Sequence, residues 1–152
     1  MRKLILLILL PFFAFANNGA KRDKNMNISI VDGEYSCKVR SAPDGGGAFN
    51  ELNNQPIIGN AILNIFGDGA QKKIKIDIPD VNNTFEFSAP LKEKNSLMIS
   101  YVMAGKKSMS VVMATEQYGI NVLLMRKSLD DGVNIVLTNC LLNKSGDSAK
   151  SR

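Results

Sequence analysis

Lys73-Ile74-Lys75-Ile76-Asp77-Ile78 decides the fold class of this chain. Isoleucine takes every second position and a charged residue takes each position between. An extended backbone therefore puts all three isoleucines on one face and all three charges on the other. A helix would spread the isoleucines around its circumference. Pro79, which has no amide hydrogen for a ladder, ends the strand.

The same pattern extends in both directions. Downstream, Phe85 and Phe87 flank Glu86 in a short strand that stops before Pro90. Residues 97–103, 108–115, 120–126 and 133–141 follow as apolar runs at regular spacing. Turn chemistry separates them, at Gly105, at Gln117-Tyr118-Gly119 and at Asp130-Asp131-Gly132. Upstream, residues 61–66 form another strand closed by Gly67-Asp68-Gly69. Tyr35, Cys37 and Val39 alternate with Ser36, Lys38 and Arg40, which places Cys37 on an inward face. The expectation is an all-β domain of about eight antiparallel strands in a meander, with no substantial helix, forming a small barrel or sandwich. An outer-membrane barrel fits less well. Its strands run to ~9–11 residues with aromatic girdles, and these are shorter and precede a polar C-terminus.

Residues 1–16 read as a cleaved signal peptide. Arg2 and Lys3 give a positive start, residues 4–10 are all Leu or Ile, and Ala14-Phe15-Ala16 offers the small residues of a cleavage site. The apolar stretch falls short of the ~20 residues that cross a bilayer. No cysteine precedes Cys37, so a lipid anchor on a new N-terminal cysteine is not expected. The processed chain is expected to be exported, to the periplasm rather than the exterior, and not to span a membrane. Residues 17–27 read as a flexible N-terminal lead, 28–142 as a single β domain and 143–152 as a flexible C-terminal tail.

This division changes the meaning of the charge. The whole chain carries +5 with a pI near 9.3, but Arg2 and Lys3 belong to the signal. Lys21, Arg22, Asp23 and Lys24 contribute +2, and Lys144, Asp147, Lys150 and Arg152 another +2, which leaves residues 28–142 at −1. Nucleic-acid binding needs clustered cations, so no nucleic-acid partner is expected.

With two cysteines, one intramolecular bridge is available, Cys37 to Cys140, and export favours it. Their spacing is unlike Cys-x-x-Cys, and the chain has no histidine to complete a zinc site. The same absence excludes Ser-His-Asp and Cys-His catalysis. Gly-x-Ser-x-Gly, Ser-x-x-Lys and phosphate-loop motifs are also missing. Asp77, Asp80, Glu86, Glu93 and Glu116 could in principle supply a carboxylate pair for hydrolysis. Each sits at a turn or on the polar side of a strand, where a solvated charge is the ordinary reading. No enzyme activity, cofactor or metal is expected.

Five of the seven methionines, Met98, Met103, Met109, Met113 and Met125, lie close together in sequence. Core packing by an adaptable side chain is preferred over a thioether copper(I) site or the lining of an apolar cavity. Residues 41–60 form a long Gly-, Asn- and Pro-rich segment, and such loops are functional or simple insertions. Gly45, Gly46, Gly47, Phe49 and Leu52 are its candidate binding residues. Phe49 and Leu52, with Ile57 and Ile58, could pin it to the body through a short helical turn. The resulting expectation is an exported, non-enzymatic binding protein of the bacterial envelope that recognises a protein or an envelope component. A barrel carrying a small apolar ligand is the alternative, and a carboxylate hydrolase ranks below both.

Overall fold

The computed structural model describes residues 18–42, 49–67, 72–81, 83–88, 91–104, 108–126 and 134–145. These residues contain eleven strands: β1 (Ala20–Arg22), β2 (Ile28–Ile30), β3 (Gly33–Ser41), β4 (Ile57–Phe66), β5 (Lys73–Ile78), β6 (Asn83–Ser88), β7 (Leu91–Lys94), β8 (Met98–Ala104), β9 (Ser108–Thr115), β10 (Gly119–Arg126) and β11 (Ile135–Ser145). Among these residues one short α-helix, α1 (Phe49–Asn54), lies between β3 and β4, and a single 3-10 turn (Pro79–Val81) follows β5. Nine strands make one antiparallel sheet in the order β6-β5-β4-β3-β11-β10-β9-β8-β7, and β1 and β2 form a separate ribbon.

The sheet curls into a half-barrel. Ile74, Ile76 and Ile78 are each no more than 1% exposed, as their alternation requires. They share one core cluster with Leu63 of β4 and with Ile99, Val112 and Val122 of β8, β9 and β10. Side chains from both ends of a nine-stranded sheet can meet only if accumulated strand twist brings the flanks face to face. β6 and β7, the two edges, follow one another in sequence but do not pair. β7 protects its edge with Lys92, Glu93 and Lys94, charges that oppose the addition of another strand.

The ribbon lies inside the curl against β8 and β9, and Ile28 and Ile30 join the core. Here the structure differs from the flexible lead expected over residues 17–27, since Lys21 pairs with Ser29 and Arg22 with Ile28. Ala20 is the one β1 side chain that reaches the core, so the sequence carries almost no apolar signal for the strand. Gly19 makes the approach possible: it has φ 74°, and a Cβ there would collide with the Tyr35 ring. At the other end β11 runs on to Ser145, paired with Gly33. Residues 146–152 of the expected tail lie outside the described residues, as does the turn proposed at Asp68-Gly69.

Cys37 on β3 and Cys140 on β11 form the disulfide, with Cα atoms 4.1 Å apart. A β-bulge makes this possible. Thr138 pairs with Lys38 and Leu141 with Ser36, so Asn139 and Cys140 together oppose Cys37. Ile135 and Leu137 face the core before the bulge, and Cys140 and Leu142 face it afterwards. If the same residues alternated regularly, with no bulge, Cys140 would face outward. Asn139 takes φ 51°, a left-handed conformation that asparagine tolerates better than most residues.

Candidate functional site

The segment 41–60 proves to be a docked element where it is described. Leu52 is 3% exposed and packs with Ala42 and Val136, with Leu123 beside them, on the outer surface of the sheet. Arg40 secures the C-terminal end of the segment. Its Nη1 donates to the Gln55 carbonyl, its Nε to Thr138 Oγ1 at 2.9 Å, and its Nη2 to Asn139 Oδ1 at 3.2 Å. Ile57 and Ile58 do not act as pins, since each is 54% exposed. Gly45, Gly46 and Gly47 lie outside the described residues, and Phe49 is described only as the first residue of α1.

The methionine cluster divides. Met103 faces inward in the core. Met98, Met109, Met113 and Met125 lie on the opposite face of β8, β9 and β10, with Met109 directly across from Met125. Core packing thus accounts for one of the five. These strands are apolar on both faces, which sequence alternation alone cannot assign. The carboxylates do not converge either. Asp77 binds Thr84 at 2.7 Å and Lys75 at 3.3 Å, and Asp80 accepts the Asn60 amide at 3.0 Å. Among the described residues no group of three or more His, Cys, Asp or Glu side chains could hold a metal ion, and no helix is long and apolar enough to cross a membrane.

The distinctive surface is at one end of the half-barrel, where three turns meet. In the β1–β2 turn, Asp23 Oδ1 accepts the amides of Asn25 at 2.8 Å and Asn27 at 3.1 Å. In the β7–β8 turn, Asn95 Oδ1 accepts the amides of Leu97 at 2.8 Å and Met98 at 2.9 Å. In the β9–β10 turn, Thr115 Oγ1 accepts the Tyr118 amide at 3.0 Å. Local side-chain bonds of this kind hold a turn in one conformation. Gly119, at φ 63° and close against Asn18, closes the third turn where a Cβ would not fit.

Each turn presents a large apolar side chain to solvent: Met26 is 61% exposed, Leu97 78% and Tyr118 41%. Met26 also has φ 62°, a conformation costly for an ordinary side chain. Arg22 connects the three turns. Its Nη1 donates to the carbonyls of Met26 at 2.9 Å and Ser96 at 3.1 Å, and its Nη2 pairs with Glu116 at 2.6 Å. The Ile28 amide adds a bond to the Asn95 carbonyl at 3.0 Å. An open cleft of about 300 Å³ runs between Arg22, Leu97, Glu116 and Tyr118. The Asp23 carboxyl is held below the usual carboxylate range, chiefly by its hydrogen bond from Lys94 and further by the Asn25 and Asn27 amides.

Sequence reasoning named Glu116 only as a candidate carboxylate and Tyr118 only as a turn residue, and it assigned none of these residues to a binding surface. The available signal was a short polar side chain followed within three residues by an apolar one, at Asp23/Met26, Asn95/Leu97 and Thr115/Tyr118. What it lacked was the knowledge that the curl brings the three together. No protein-family model, curated protein or solved structure matches this chain.

Proposed function

We propose that this protein is an exported, non-enzymatic binding module of the bacterial envelope, and that the three-turn end of its half-barrel is the recognition surface. The observation that carries the reading is Arg22, which ties together three separately pinned turns that each expose an apolar side chain. Exposed apolar groups held rigid lose little conformational freedom on association, so most of their burial remains as affinity. Folding alone gives no reason to fix Leu97 and Met26 in solvent. The signal-like residues 1–16 and the Cys37–Cys140 bridge support an exported, oxidising setting. The described inner face is filled by the protein's own side chains, including Ile28, Tyr35 and Ile76, which gives the ligand-carrier reading no comparable support.

A photo-crosslinking amino acid at position 97 tests the proposal, with the same group at exposed Lys38 on β3 as control. Adducts with an envelope component are expected from position 97 only. Absence of adducts from position 97, or the same adducts from both sites, would count against the surface.

A further inference from the structure

We infer that the three-turn end docks on an anionic phospholipid surface. The inference rests on the proposed recognition surface and specifies what it meets. Two observations favour a bilayer over a protein. The apolar groups stand on the tips of turns, and Leu97 and Met26 are the two most exposed large apolar side chains described. Projecting tips suit insertion into a lipid interface, and the cleft between Leu97 and Tyr118 is open rather than enclosing. Tyr118, apolar in body with a polar tip, belongs to the residue types that prefer the headgroup level.

Charge supplies the second observation. Across the ribbon and the three turns, with Lys94 at the end of β7, the cations are Lys21, Arg22, Lys24 and Lys94, and the carboxylates are Asp23 and Glu116. Both carboxylates are already neutralised, Asp23 by Lys94 and Glu116 by Arg22. The surplus is therefore the exposed pair of Lys21 on β1 and Lys24 in the turn that carries Met26. Basic groups next to inserted apolar ones are complementary to anionic headgroups, and the attraction fades with added salt. The internal pairing of Arg22 keeps the tips aligned while Lys21 and Lys24 remain available to lipid.

The test is co-sedimentation of the processed, disulfide-bonded protein with vesicles of phosphatidylcholine alone or of phosphatidylcholine and phosphatidylglycerol in equal parts. Binding to the mixed vesicles is expected to exceed binding to the neutral ones by about tenfold, given two unpaired cations at the surface. It should fall by a similar factor in Lys24→Glu and in Leu97→Asp, and decline in high salt. Both positions are exposed, and an unchanged thermal midpoint shows that the variants fold. Equal binding to both vesicle types, or variants that bind like the parent, overturns the inference. Absence of vesicle binding combined with protein adducts from position 97 overturns it too, but leaves the recognition surface standing. Absence of vesicle binding and of adducts removes both.

Discussion

Asn139 is the residue that turns Cys140 toward Cys37, and replacing it should expose the energetic basis of the bulge. Asn139→Gly and Asn139→Val both remove the side-chain bonds to Arg40 and Thr138, which measure 3.2 Å each. They differ in what the backbone tolerates at φ 51°. A left-handed conformation costs a side-chain-bearing residue about 1–2 kcal/mol, and a β-branched one stands at the upper end. Glycine avoids that cost but gives up about 0.7 kcal/mol more freedom on folding. Asn139→Val should therefore be the less stable by about 1 kcal/mol, or roughly 3 °C in midpoint for a domain of this size. Urea unfolding of both variants, with the disulfide confirmed intact by mass, measures the difference. Deleting Asn139 supplies the complementary case, because the remaining residues of β11 would then alternate regularly with Cys140 still inward. If the valine variant equals or exceeds the glycine variant, the left-handed bulge is not what sets the register.

The Cys37→Ala, Cys140→Ala double variant should lose about 4–5 kcal/mol by the loop-entropy estimate for a bridge spanning 103 residues; a loss under about 1 kcal/mol in urea unfolding would refute that account. Leu52→Ala should cost about 2 kcal/mol and raise amide exchange in α1 while leaving β5 protected. Uniform acceleration across both would show that α1 is not separately anchored. Burial, with a smaller contribution from Asp32, pushes the Tyr35 phenol above its ordinary value of 10.0. The neutral form is thus favoured in the fold, so this stabilisation is full below pH 10 and is lost as the pH rises beyond it. Tyr35 phenolate absorbance should accompany alkaline unfolding; ionisation in the folded state would contradict the burial.

The strands most readable in the sequence are those in which only one face is buried. Ile74, Ile76 and Ile78 announce β5 because Lys73, Lys75 and Asp77 occupy the other face. β1 and β7 went unread for the opposite reason: Lys21-Arg22 and Lys92-Glu93-Lys94 carry charges suited to an edge or a ribbon, and a charged run is indistinguishable from loop. β8 to β10 were located correctly, but their second apolar face, with Met98, Met109, Met113 and Met125, looks like core in one dimension. The disulfide was readable from cysteine count and the expectation of export. The bulge beneath it was not, because one extra residue reverses every subsequent facing without altering composition. Arg22 sits in a polar segment that reads as a solvated lead. Its role depends on Ser96 and Glu116, 74 and 94 residues away.

The unpaired edges at β6 and β7 have a consequence for how the chain finds this fold. Every strand pair except β3–β11 joins strands that are neighbours in sequence. The sheet is thus two local meanders, β3 to β6 and β7 to β11, sewn together along one distant seam, and the covalent bridge lies on that seam. Local hairpins form within microseconds, whereas distant pairing must first overcome loop closure, so β3–β11 should be the last ladder to zip. Joining the native termini and opening the chain between β6 and β7 would shorten that seam. Strand order along the permuted polypeptide would then match strand order across the sheet from one edge to the other. The slow step of folding would become a closure across the β1–β2 ribbon, the one pair of strands left between β11 and β3.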